Sequence, residues 1–140
     1  MEIAVIYWSG TGNTQMMAES VAEGIKEAGA TAALKNVSEI TPDEAAAYDK
    51  IAFGCSAMGA EVLEESEFEP FFTMLEDKLK GKKVVLFGSY GWGGSYMQDW
   101  EARVQADGAE LLHPGVLALG EPDDTAKAEC KEIGSLLAKS

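Results

Sequence analysis

At 140 residues, 46% of them apolar, the chain has the size and composition of one folded domain, able to bury roughly two-thirds of its extended surface. A formal charge of −13, from 24 acidic against 11 basic residues, argues against nucleic acid or anionic membrane as a partner and points to basic protein surfaces. No stretch approaches the ~18 uncharged apolar residues of a membrane span, and Met1-Glu2-Ile3 carries no basic leader, so the expected compartment is the cytoplasm.

The first apolar run, Ile3 to Tyr7, predicts a strand, after which Met17, Val21, Ile25 and Ala28 recur at helical spacing. Thr31 to Leu34 predicts a second strand. Thr41-Pro42-Asp43-Glu44 then signals a short helix, in which Thr41 caps, Pro42 suits the first turn and Glu44 closes a capping box. Ile51 to Cys55 is a third strand, followed by the helical stripe Phe68, Phe71, Phe72, Leu75 and Leu79. Val84 to Phe87 is the fourth, followed by Met97, Trp100 and Val104. A fifth lies around Val116 to Leu119, before the stripe Ala126, Cys130, Ile133 and Leu137.

The strand runs are continuous rather than alternating, which suits strands covered on both faces. Strict alternation of strand and one-sided helix, with right-handed crossovers, leads to an α/β fold: a doubly wound, three-layer sandwich around a parallel sheet, residues 1–140 forming a single domain. In such sheets a ligand sits beyond the carboxyl ends of the strands where the winding reverses. Function is therefore expected in the loops after strands one, three and four.

After the first strand comes Ser9-Gly10-Thr11-Gly12-Asn13-Thr14, opening directly into a helix. Glycines allow the backbone N–H groups to turn inward, hydroxyls and an amide add donors, and the helix amino terminus adds partial positive charge, so a phosphate monoester can be held without lysine or arginine. The Lys-Ser/Thr ending of a P-loop is missing, and Gln15 stands where a dinucleotide fingerprint has its third glycine. After the third strand stand Ser56-Ala57-Met58-Gly59-Ala60-Glu61, and after the fourth Ser89-Tyr90-Gly91-Trp92-Gly93-Gly94. Both are small-residue loops with one large flat or soft side chain, so Met58 and Trp92 can sandwich a planar heterocycle. Trp8 and Trp100 read as structural and His113 as a surface residue. Cys55 and Cys130, outside any C-x-x-C spacing, suggest buried thiols rather than a zinc or dithiol site.

The phosphate loop, Cys55-Ser56-Ala57-Met58-Gly59, Glu64-Glu65-Ser66-Glu67-Phe68-Glu69-Pro70-Phe71 and Gly88-Ser89-Tyr90-Gly91-Trp92-Gly93 together resemble short-chain flavodoxins of the clostridial kind. The likeness spans nearly the whole chain and is weak after His113. It implies a five-stranded sheet of order 2-1-3-4-5 and one non-covalent flavin mononucleotide (FMN). It implies that Ser9 through Thr14 hold the phosphate, that Met58 and Trp92 flank the isoalloxazine, that Glu61 accepts from ring N3 and the Gly59 carbonyl from N5. Ser56 and Ser89 would suit the ribityl chain, with Ala57, Ala60, Tyr90, Gly91 and Gly93 completing the loops. A type II turn starting at Met58 would need positive φ at Ala60, where alanine costs ~1 kcal/mol more than glycine.

The function so implied is a low-potential one-electron carrier, cycling between semiquinone and hydroquinone as a monomer. It would serve redox proteins with basic docking surfaces, of oxidoreductase, hydrogenase or reductase type, with no substrate turnover of its own. Glu61, Glu64, Glu65, Glu67 and Glu69 are expected to crowd the Met58 loop and disfavour the anionic reduced flavin. The alternative is a flavodoxin-like FMN-dependent quinone reductase, which needs a second substrate pocket from loops for which this chain has no spare length. A receiver domain of the same winding is set aside because the first and third strands end in Tyr7-Trp8 and Gly54-Cys55 and offer no acidic cluster.

Overall fold

The computed structural model describes residues 2–10, 12–58, 62–91 and 95–140, with Met58 and Val62 described for the backbone alone. In chain order the elements are β1 (Glu2–Trp8), α1 (Asn13–Glu27), β2 (Thr31–Asn36), α2 (Pro42–Ala46), β3 (Lys50–Cys55), β4 (Ala57–Met58), β5 (Val62–Leu63), α3 (Phe68–Leu75), β6 (Lys83–Tyr90), α4 (Ser95–Ala106), β7 (Glu110–Leu111), β8 (Val116–Leu119) and α5 (Asp124–Lys139). Short 3₁₀ turns follow β2 and α3.

All pairings in the main sheet are parallel, running β2-β1-β3-β6 with β7 and β8 both on the far side of β6. Counting β7 and β8 as one interrupted edge strand, this is the expected order 2-1-3-4-5. Lys83–Val84 of β6 pair with β7, and Phe87–Tyr90 pair with β8. Between the two pieces lies His113-Pro114-Gly115, where a proline with no N–H to donate breaks the ladder on an edge that tolerates it.

The apolar runs are continuous because each strand is covered twice. Ala4, Ile6, Ile51, Phe53, Val84 and Leu86 face α3 and α4, where Phe68, Phe72, Leu75 and Trp100 close the layer. Ile3, Val5, Ala52, Val85 and Phe87 face α1 and α5, against Met17, Val21, Ile25, Cys130 and Ile133. Aromatic edges lock the first layer: Phe53 meets Phe72 at 5.2 Å between ring centroids, and Phe68 meets Trp100 at 5.5 Å, both edge to face. In the second layer α1 and α5 approach backbone to backbone. A Cβ on Gly24 would stand 2.0 Å from the Lys131 carbonyl oxygen, and one on Gly134 would stand 2.2 Å from that of Val21.

The capping box of α2 forms with both arms: Thr41 Oγ1 accepts the Glu44 N–H at 3.1 Å, and Glu44 Oε1 accepts the Thr41 N–H at 2.9 Å. None of the helices among the described residues is long and apolar enough to cross a membrane.

Candidate functional site

β1 delivers the chain to the sheet's carboxyl edge at Trp8, and the loop turns at once into α1. Ser9 Oγ accepts the Gly12 N–H at 3.0 Å, closing a tight turn, and Gly12 takes φ of 94°, a left-handed conformation that a Cβ would penalise. As the N-cap, Gly12 brings no side chain to the first turn of α1, which carries no acidic residue either. The open amide groups and the dipole of a helix 15 residues long therefore face the loop.

Thr14 is fully buried and joins the three strand-end loops. Its hydroxyl lies 2.6 Å from the Ser56 hydroxyl after β3 and accepts the Ser89 N–H of β6 at a long 3.4 Å. Beside this junction opens a cavity of about 360 Å³. Gly10, Asn13, Ser56, Ala57, Ser89, Tyr90 and Gly91, all expected from sequence, line it together. Ser89 Oγ donates to the Gly120 carbonyl at 2.7 Å, leaving its lone pairs for a ligand.

Two further residues line the cavity, Trp8 and Gly120. Trp8 is half-buried, and its Nε1 donates to Glu67 Oε1 at 3.3 Å, so the reading of Trp8 as purely structural is corrected: it packs on the core and walls the crevice as well. Gly120 ends the edge strand as Ser56 and Gly91 follow theirs, and that position was the available signal. Trp100 is core, as expected, with its indole N–H buried and unpartnered. His113 is half-buried on the edge-strand break, its Nδ1 2.7 Å from the Pro114 carbonyl oxygen. Thr11, Gly59, Ala60, Glu61, Trp92 and Gly93, and the side chain of Met58, lie outside the described residues. On either side of them β4 pairs antiparallel with β5, Ala57 opposite Leu63 and Met58 opposite Val62.

The acidic rim is less uniform than composition suggests. Glu64 is buried and accepts the N–H groups of Ser66 at 2.6 Å, Glu67 at 2.7 Å and Phe68 at 2.9 Å, making it the cap of α3. Burial pushes its carboxyl up, but those backbone donors outweigh it and hold it below its ordinary range. Glu69 receives both terminal nitrogens of Arg103, at 2.8 and 2.6 Å, and that guanidinium, against a smaller desolvation, lowers its pKa. Glu65 and Glu67 are exposed, and among the described residues neither meets a cation. The expected cluster is thus not a set of equivalent free carboxylates: Glu69 shares Arg103 with Glu76, and Glu64 is held by the backbone N–H groups at the start of α3.

A doubly wound parallel sheet, with an anion cradle built from hydroxyls and a helix terminus at the switch point and flat side chains beside it, defines a mononucleotide-binding α/β protein. The flavodoxin family model matches residues 5–134. The chain is 49% identical over 135 residues to a flavodoxin of Clostridium beijerinckii, covering 96% of this chain and 97% of that one. To the flavodoxin of Megasphaera elsdenii it is 47% identical over 139 residues, 99% of each chain. The solution structure of two-electron reduced Megasphaera elsdenii flavodoxin superposes with a TM-score of 0.90 at 45% identity, covering 99% of both. This chain belongs to the flavodoxin family, whose own fold is a standard illustration of the switch-point rule, and is an FMN-binding electron carrier.

Proposed function

We propose that FMN sits in the crevice between the loops after β1, β3, β6 and β8, its phosphate against Ser9 through Thr14. The observation that carries this reading is the Thr14 junction, where a buried hydroxyl ties three strand ends together beneath the open amino terminus of α1. The residues fit the group. The cradle offers hydroxyls and N–H groups without a cation, and a Cβ on Gly10 would stand 3.0 Å from the Trp8 ring, so the loop hugs the wall of the crevice. Bound FMN supplies the redox chemistry, taking up and releasing electrons one at a time.

The chain's own residues bind and orient. Asn13 and the α1 amide groups receive the phosphate, Ser56 and Ser89 present oxygen atoms to the ribityl chain, and Met58, Tyr90 and Trp92 border the ring with Gly59, Ala60, Glu61 and Gly93. Glu65 and Glu67, together with the net charge of −13, favour a low potential and steer basic redox partners to the crevice. The protein turns over no substrate itself and acts as a cytoplasmic monomer.

The test is a titration of apoprotein with FMN and with riboflavin, followed by anaerobic reduction with dithionite, NADH and NADPH in turn. FMN should bind at least 100-fold more tightly than riboflavin, with a loss of about tenfold in Thr14→Val, and pyridine nucleotides should leave the bound flavin oxidised. Equal affinity for FMN and riboflavin would place the phosphate elsewhere. Rapid reduction by NADPH would make the protein a reductase.

A further inference from the structure

The two loops that border the crevice on either side of β3 and β6 share an anchor that lies outside the cavity. The registered pairing of β3 with β6 ends at Gly54 and Phe87. One residue further, the Cys55 carbonyl accepts a hydrogen bond at 2.9 Å from Tyr96, a side chain 2% exposed on the first turn of α4. The contact exists because Gly88 stands between them: a Cβ there would lie 2.0 Å from the Tyr96 hydroxyl and 2.2 Å from the Cys55 oxygen. From the Ser56 side, Thr14 grips the next residue at 2.6 Å. The peptide from which the 56–61 loop springs is therefore held at Cys55 by α4 and at Ser56 by α1.

We propose that Tyr96 is a positioning residue for the cofactor, its phenol fixing the Cys55–Ser56 peptide against the helix that follows residues 91–94, so that the two flavin-bordering loops keep one separation. This rests on the crevice being the FMN site. Burial pushes the phenol's pKa up, so it remains a hydrogen-bond donor throughout the working range. Hydrogen-bonded to the last strand carbonyl, α4 transmits its position directly to the root of the loop after β3. In the absence of the hydroxyl the packing survives, but the Cys55 carbonyl loses this donor, and the loop root is left with Thr14 on Ser56 and the long contacts of the Cys55 thiol with the Ser56 carbonyl and the Glu64 N–H, each at 3.4 Å.

The test compares FMN-loaded wild type with Tyr96→Phe, which preserves the buried ring. Expected are FMN release about five- to tenfold faster on dilution, faster amide exchange at residues 56–58, and a shifted separation of the two one-electron potentials. Gly88→Ala, whose Cβ would crowd both the Tyr96 hydroxyl and the Cys55 oxygen, should shift the same three readouts in the same direction. A Tyr96→Phe protein that melts lower yet releases FMN at the wild-type rate, with unchanged exchange and potentials, would reduce Tyr96 to a packing residue and overturn the proposal. Failure of the wild type itself to bind FMN would instead overturn the site assignment.

Discussion

Replacing Asp107 by asparagine should make the protein more stable at neutral pH and leave it unchanged in acid. Asp107 follows the last residue of α4, its N–H donating to the Arg103 carbonyl at 3.0 Å, where the negative end of the helix dipole opposes a carboxylate. Burial first, then a hydrogen bond with Glu76 and the charge of Glu76, push its carboxyl up to about 6, against the opposing pull of Arg103. One of its oxygens, Oδ2, is buried with no hydrogen-bond partner. An acid whose folded pKa is raised contributes stability that is fully present below its ordinary value of 3.8 and is lost as pH rises through about 6. A shift of that size corresponds to at most about 3 kcal/mol, which solvent screening at a half-buried site reduces to ~1–2 kcal/mol. Asparagine donates to Glu76 at every pH, so urea unfolding at one fixed FMN concentration should show Asp107→Asn ahead by ~1–2 kcal/mol at pH 7. The gap should close between about pH 6 and pH 4. Equal stability at pH 7, or a gain of the same size at both ends, would show that Asp107 and Glu76 share no proton.

Gly24→Ala should destabilise the protein by ~1–3 kcal/mol despite a helix-propensity gain of ~1 kcal/mol, because its Cβ would stand 2.0 Å from a backbone carbonyl that cannot rotate aside; thermal melting measures it. Glu65→Gln and Glu67→Gln should each raise the lower one-electron potential by roughly 10–15 mV at low salt, the Coulomb cost at ~12 Å. Spectroelectrochemistry at two ionic strengths measures both, and no rise at low salt would refute the electrostatic account. Both cysteines should resist thiol reagents in the native protein and react on unfolding. Burial pushes the Cys55 thiol far up and that of Cys130 to about 12, and a disulfide-exchange assay with and without urea reads both.

The buried strands announced themselves because their requirements are local. Ile3 to Tyr7, Ile51 to Cys55 and Val84 to Phe87 must be apolar on both faces, and Thr41 with Glu44 must be polar three residues apart. β2 was equally visible, although its residues are half-buried as an edge strand. Of the interrupted edge strand only the second piece, Val116 to Leu119, was read; the short β7 before the break, only Glu110–Leu111, lacks any periodicity to read. The three loops of the crevice were legible from glycines and hydroxyls at strand ends. The fate of the glutamates was not, since Arg103 meets Glu69 across 34 residues and Glu64 caps a helix whose start no standard N-cap residue marks. Tryptophan in β1 likewise gives no hint of its surroundings, because the last residue of a strand faces core and crevice alike.

The hydrogen bonds at Thr14 span 42 residues to Ser56 and 75 to Ser89, which sets a schedule for the making of the protein. A chain emerging from the ribosome carries the whole phosphate loop early, yet Thr14 meets its first partner only when Ser56 follows β3, and its second only once β6 has been laid beside β3. With FMN in the proposed crevice, cofactor capture is expected late in biogenesis. Uptake of flavin colour during translation is then expected to follow the appearance of residue 89 rather than residue 14.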